Sequence, residues 1–223
     1  MSHRLVKDQL YEHVARIGKA LSSPKRIELL EMLAQGEKTV EALASELSIN
    51  VKLGSAHLKA LKDARLVQSR RDGKYIVYRL SGPDVAQLGV TLRDVAEEHL
   101  VELRMAVARL VAEPERLSKL GRDELLAQAR RGRVTVIDVR PAAEYDAAHL
   151  PCARSIPLPE LQKRLSELPR RTPIVAYCRG PYCLMSDEAV KLLIDKGYKA
   201  HKINDGVSEW FSAGLPLERS AAP

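Results

Sequence analysis

The chain has 223 residues, 45% of them hydrophobic and 29% charged, a composition that suits one large or two ordinary soluble domains. Three cysteines, odd in number and irregularly spaced, exclude a disulfide framework and point to a reducing cytoplasm. The N-terminus MSHRLVKDQLYEHVARIGKAL reads as neither signal peptide nor anchor, no segment is apolar enough to span a membrane, and the net charge of +7 permits a nucleic-acid partner without demanding one.

Residues 5–21 repeat apolar side chains at helical spacing (Leu10, Val14, Ile17, Leu21), and Ser22-Ser23-Pro24 supplies a stop, a cap and a proline suited to a first helical turn. A second helix is predicted over 25–34. Thr39 is placed to cap a short third one, VEALASEL. A fourth is predicted over 51–64. The period then changes to alternation: residues 66–71 and 75–80 flank Asp72-Gly73-Lys74, a strong hairpin signal. A long helix over 84–111 follows, with a stripe of Leu92, Val95, Leu103, Val107 and Leu110 that is too apolar for a solitary surface helix.

Beyond Glu113-Pro114-Glu115 the pattern becomes α/β. One more amphipathic helix is predicted over 122–131. The near-continuous β-branched run 134–139 reads as a strand buried on both faces, and 174–177 as another. Short helices over 161–168 and 187–196 fall around the second run, which suggests a parallel sheet with helices on its faces. The expected division is therefore 1–112, a linker at 113–121, and 122–223.

Helices, hairpin and long helix in this order are those of a winged helix-turn-helix, an α+β domain that is mostly α. The first half resembles the ArsR family of bacterial repressors through Leu43-Ala44, Leu47, Ser55, His57-Leu58, Leu61, Ala64, Leu66-Val67, Arg70-Arg71, Gly73, Tyr78 and Leu80. Charge supports the likeness independently. Between Lys38 and Arg79 nine basic residues face four acidic ones, so most of the chain's basic excess falls in this one segment. The outward residues of the recognition helix would be Asn50, Lys52, Ser55, Ala56 and Lys59, reading base edges or phosphates. Arg70, Arg71 and Lys74 at the wing would grip the backbone of double-stranded DNA. The resemblance implies a homodimer formed through the first and last helices, reading a palindromic operator. Metal-sensing relatives carry cysteines before the recognition helix or Asp/His/Glu sets on the last helix. Here the first region has no cysteine, and Asp94, Glu98, His99 and Glu102 make a poor transition-metal set, so no metal site is expected there.

Two of the three cysteines lie in YCRGPYC, residues 177–183. Together with Asp138-Val139-Arg140, Glu144-Tyr145, His149-Leu150-Pro151, Ala153–Leu158, Gly206, Trp210 and Gly214-Leu215-Pro216, this stretch resembles the rhodanese (sulfurtransferase) domain, an α/β fold with a central parallel sheet. The resemblance makes Cys178 the nucleophile that holds sulfur as a persulfide, with no cofactor. That chemistry needs a stabilised thiolate, which inward backbone N–H groups and the following helix N-terminus can favour. Gly180 permits the tight curl of the loop. Arg179 either screens an anionic donor or points to solvent. Asp138, Arg140, Glu144 and His149 are expected to support the site.

A six-residue loop without a terminal arginine fits sulfur rather than phosphoryl transfer. Cys183 is a departure from the family pattern. It either packs the base of the loop or attacks a persulfide on Cys178 as a resolving thiol. Cys152 stands where rhodaneses usually have glycine. The combination suggests a repressor whose rhodanese domain senses reactive sulfur or an oxidant, polysulfide or thiosulfate being candidate donors. A sulfurtransferase that happens to bind DNA, and a metalloid sensor using the cysteines, are the alternatives.

Overall fold

A computed structural model describes residues 2–110 and 114–220. Two compact units emerge, Met1–Gly89 and Val90–Pro223.

In the first unit, α1 (His3–Leu21) and α2 (Pro24–Ala34) are separated by Ser22 and Ser23, and Pro24 opens α2 at the position where a missing N–H costs nothing. A two-residue strand β1 (Lys38–Thr39) leads into α3 (Val40–Glu46), whose first turn is capped by Thr39 accepting from the Ala42 N–H at 3.2 Å. Helix α4 (Val51–Asp63) is capped in the same way by Asn50, whose Oδ1 accepts from Leu53 N–H at 2.8 Å. Strands β2 (Val67–Asp72) and β3 (Tyr75–Leu80) form the predicted hairpin, pairing Asp72 with Tyr75 around a Gly73 of φ +59°. The sheet order is β1-β3-β2. Leu29, Leu43, Leu58 and Leu61 are wholly buried in one core. Each side chain of this kind contributes about 1.5–3 kcal/mol by leaving water.

The predicted long helix is two helices, α5 (Pro83–His99) and α6 (Val101–Leu110). Leu100 interrupts the helical run although its N–H still reaches Ala96 O at 2.8 Å, and neither glycine nor proline marks the break. The end of that prediction, Val111, lies outside the described residues. The partition between the compact units falls inside α5, after Gly89.

The second unit continues with a 3-10 turn at Pro114–Arg116 and α7 (Arg122–Arg130). The part of the expected linker that is described is tied down, because Leu117 makes a parallel bridge with Lys202 and Ser118 N–H donates to Lys202 O at 2.8 Å. Then come β4 (Thr135–Asp138), α8 (Ala142–Ala147), β5 (Arg154–Ser155), α9 (Leu158–Leu161), β6 (Ile174–Tyr177), α10 (Met185–Asp195), β7 (Ala200–Lys202) and α11 (Val207–Ser212). The helix predicted over 161–168 is instead α9 followed by a 3-10 turn at Leu165–Glu167.

Four parallel strands run in the order β5-β4-β6-β7. Side chains alternate between two cores. Ile137, Val139, Ile174, Ala176 and Cys178 join one, while Val136, Val175, Tyr177 and Trp210 join the other. The chain proceeds from β4 to β5 on one side and returns to β6 on the other, so the carboxyl ends of β4 and β6 border a topological switch point. Open α/β sheets bind ligands at such a point. Cys178 is the residue immediately after β6.

Candidate functional site

The two predicted sites are built separately, one in each unit.

Around Cys178 the backbone leaves β6, curls over and enters α10. Gly180 has φ +149°, a conformation that disfavours a side chain. A Cβ there would also lie 3.2 and 3.3 Å from the two carboxylate oxygens of Glu209. Gly206 is needed for a different reason. An added Cβ would come within 2.5 Å of the Arg179 carbonyl carbon and oxygen and 2.8 Å of Cys178 O. The start of α11 is therefore pressed against the cysteine loop.

Both sulfurs turn into this cradle. The Cys178 thiol is almost completely buried and lies 3.3 Å from Cys183 O and 3.3 Å from Ser186 Oγ. Cys183 is half-buried, and the two thiols are in contact and perturb each other's ionisation. This contact, followed by burial, raises the Cys178 pKa well above the ordinary thiol range. Cys183 moves the other way, to about 6, chiefly because Cys178 donates to it. Backbone N–H groups of Arg179 and Met185, and the Arg179 charge, add to that effect. The pair titrates as a unit that keeps one proton between two sulfurs across neutral pH. From sequence the thiolate is expected at Cys178; the N–H groups that Cys183 takes from both ends of the loop favour negative charge on its sulfur.

Arg179 is turned neither into the cradle nor out to solvent. Its Nε donates to Glu144 Oε2 at 2.9 Å and its Nη2 to Oε1, and both side chains are largely buried. Glu144 thereby ties the loop to α8. Asp138 and Arg140 pair with no exposed surface, Nε to Oδ1 at 3.0 Å. Asp138 also accepts from Tyr177 O–H at 2.6 Å. That buried network locks the end of β4 beside the end of β6. His149 is held by Tyr145 O at 2.8 Å, stacks on the Tyr145 ring at 3.7 Å, and exchanges backbone bonds with Glu218. These four residues hold the frame around the two sulfurs.

Cys152 is exposed and has φ +64°, which gives a conformational reason for glycine at this place in rhodaneses. Among the described residues no three His, Cys, Asp or Glu side chains group as metal ligands, so Cys152 does not join the other two. Three neighbours of the cradle escaped sequence reasoning: Ser186, Tyr182 and Glu209. Ser186 could have been suspected, since it directly precedes a predicted helix. Glu209 comes from a remote segment and carries no local signal.

In the first unit, Lys52, Ser55, Ala56 and Lys59 are all exposed at helical spacing on α4 and form one face. Asn50 joins them as the cap of α4, with its oxygen engaged by Leu53 N–H. Lys59 pairs with Asp63 at 2.8 Å. On the hairpin, Arg70 pairs with Glu37 and Asp72, both at 2.9 Å, Arg71 folds onto Gly73 O, and Lys74 lies 5.2 Å over the Tyr75 ring. Lys62, bonded to Ser69 Oγ at 2.7 Å, extends the basic surface from α4 to β2. Exposed ion pairs of this type are weak enough to exchange for phosphate.

Comparison with known proteins matches the rhodanese-like domain family to residues 121–213 and the bacterial regulatory protein, arsR family, to residues 23–69. The HTH-type transcriptional regulator Rv0324 of Mycobacterium tuberculosis is 45% identical over 215 residues, 96% of this chain and 94% of that protein. A sulfurtransferase of Allochromatium vinosum is 31% identical over 85 residues, 38% of this chain and 78% of its own. Among solved structures, the homodimeric winged helix-turn-helix DNA-binding domain (fragment 1–100) Mb0332 from Mycobacterium bovis is 45% identical. It covers 46% of this chain and 93% of that one, with a TM-score of 0.42.

Proposed function

The chain belongs to the ArsR-type helix-turn-helix transcriptional regulators that carry a rhodanese-like domain, and from that premise we propose that it is a repressor whose DNA binding is set by reactive sulfur at Cys178 and Cys183. A DNA-binding regulator needs an input. The observation that carries this reading is two thiols in one cradle, with Cys178 Sγ 3.3 Å from the Cys183 carbonyl oxygen, in a chain whose DNA-binding half has no cysteine.

The chemistry follows from the shared proton. Cys178 passes its proton to the Cys183 thiolate and attacks a sulfur of a hydrogen polysulfide such as HSSH. The S–S bond of the donor breaks, HS⁻ leaves, and Cys178 carries a persulfide. Cys183, now a thiol, then attacks the Cys178 sulfur. The Cys178–S bond to the outer sulfur breaks, H2S leaves with the Cys183 proton, and a disulfide remains. The two thiols are oxidised by two electrons and the polysulfide is reduced to sulfide.

The regulator acts as a homodimer in this proposal. Helix α1 leaves Leu5, Leu10, Tyr11 and Val14 each at least 50% exposed, and α6 leaves Val101 and Met105 more than half exposed. A second copy is the occupant that the ArsR resemblance implies for both helices, and two-fold symmetry then requires a palindromic operator.

The test is operator binding before and after polysulfide, with Cys178→Ser alongside. Affinity that changes in the parent protein and not in the variant supports the reading. Equal affinity in both, with and without every donor tried, overturns it. The second reading, a sulfurtransferase attached to a DNA-binding unit, is favoured by the likeness to the Allochromatium vinosum sulfurtransferase. Steady sulfur turnover without any change in operator binding would establish it instead.

A further inference from the structure

Tyr182 and Gly180, two of the four residues between the thiols, both meet groups bonded to α5. The Tyr182 hydroxyl donates to Glu97 Oε1 at 2.8 Å. Arg93 lies over the same ring, 5.6 Å from its centroid, and donates through Nη2 to Glu209 Oε1. Glu209 Oε2 in turn accepts from Gly206 N–H at 2.7 Å, and this carboxylate fills the space against Gly180. Residues 93 and 97 are four apart, so both contacts come from one face of α5. All of these residues belong to the second unit.

From this arrangement we infer that the turn of α5 carrying Arg93 and Glu97 is the reporter of the cradle's chemical state. This inference rests on the sulfur-sensing reading above and names its output element.

Three physical points support it. The Arg93–Glu209 pair is buried, with side-chain exposures of 13% and 7%. A buried pair that loses its geometry is strongly destabilised, so the contact responds to small displacements. The Tyr182–Glu97 bond is short and runs from a hydroxyl to a carboxyl oxygen, a class of bond stronger than that between two amides. Lastly, the cradle is closely filled. A disulfide between Cys178 and Cys183 must satisfy a narrow range of Cβ separations and dihedrals, and Tyr182 is the residue next to Cys183. Bridging the thiols, or adding a sulfur atom to a packed site, therefore shifts the Tyr182 hydroxyl relative to Glu97. Helix α5 begins in the first unit, where Val85 enters the core under the DNA-binding helices. It is the described element with residues in both units, so an altered second half of α5 is felt by the helix that supplies Val85.

The experiment uses the full chain with Glu97→Ala, Tyr182→Phe and the double variant. Three quantities are read for each: the extent of polysulfide modification by intact mass, operator affinity before and after modification, and hydrogen exchange of α5. In the parent protein, modification changes both operator affinity and the exchange of residues 93–99. In each single variant the thiols are modified to the same extent, but the modified-to-unmodified affinity ratio falls by at least about fivefold, the lower end of typical coupling. The double variant loses no more than the larger single, because both changes cut one contact.

Variants that are modified and keep the full ratio overturn the reporter and leave sulfur sensing in place. Exchange of α5 that responds in the parent protein while operator affinity does not supports the reporter and overturns sensing. Neither responding overturns both.

Discussion

The charge on the thiol pair can be tested by removing one sulfur. Cys183 stands at about 6 rather than the ordinary 9.0, with the hydrogen bond from Cys178 as the largest cause. At pH 7 that leaves it about 90% thiolate, against about 1% for an unperturbed thiol. A less basic thiolate is also a weaker nucleophile. With a Brønsted coefficient of about 0.4–0.5, three units of basicity cost a factor of about 15–30. The net gain in alkylation rate at pH 7 is therefore only about three- to sixfold, and the shape of the pH profile is the better diagnostic.

In a Cys152→Ser background, which removes the exposed thiol, iodoacetamide alkylation of Cys183 should rise through a midpoint near 6 and flatten above pH 7. Cys178→Ala deletes the donor, so the midpoint moves up toward 9.0 and the rate keeps rising beyond pH 8. Cys178→Ser keeps an O–H donor and should stay closer to the parent profile. Site-resolved mass spectrometry across pH 5–9.5 makes the measurement. A parent profile with its midpoint at 8 or above, or alkylation of Cys178 ahead of Cys183, would refute the argument.

Further expectations follow from the frame around the cradle and from the basic face. Gly206→Ala drives a Cβ to 2.5 Å from Arg179 backbone atoms. Overpacking of that sort costs about 1–3 kcal/mol, so thermal unfolding should come about 2–10 °C lower, and no change would show that the loop yields freely. Glu144→Gln breaks the buried pair with Arg179. Losing one partner of such a pair costs about 3–5 kcal/mol, and a loss below about 1 kcal/mol in urea titration would mean that the neutral amide keeps most of the contact and that charge adds little to it. Lys52→Ala and Lys74→Ala, at exposed positions on α4 and at the hairpin tip, should each lower the slope of log affinity against log salt by about 1. An unchanged slope would remove that lysine from the phosphate-contacting set.

Much of this was legible along the chain because the signals are local. The caps at Ser23 and Thr39, the Asp72-Gly73 hairpin and the two β-branched runs each announce an element within a few residues. The position of Cys178 at a strand end could be read because an apolar run directly precedes it and a glycine follows two residues on. Short elements were not legible. Strand β1 has two residues, and its existence depends on pairing Lys38 with Tyr78 and Thr39 with Val77, about forty residues away. The break at Leu100 interrupts an intact helical pattern and has no breaker residue. Asn50 shows how one residue type can serve two ends: the side chain that suits an adenine edge also suits a helix cap, and the cap is what the backbone uses. The partners of the cradle were invisible for a different reason. Glu209 meets Arg93 across 116 positions and Tyr182 meets Glu97 across 85, distances at which only the folded chain carries information.

The engagement of Arg179 bears on which donor the cradle suits under the proposed chemistry. A doubly charged donor such as thiosulfate is helped by a cation near the receiving sulfur, and positions 179 and 183 of the loop are where the rhodanese resemblance looks for one. Arg179 is bound to Glu144, which offsets its charge, and position 183 is a thiol that holds negative charge at neutral pH. Field and donor then repel. A neutral or singly charged sulfur species suffers much less of this. Attack of Cys178 on it also passes the Cys178 proton to Cys183, which turns from repelling anion into resolving thiol. The feature that weakens the site as a thiosulfate enzyme is thus the one that suits it to a single, self-terminating oxidation, which is what a switch requires and a turnover catalyst does not.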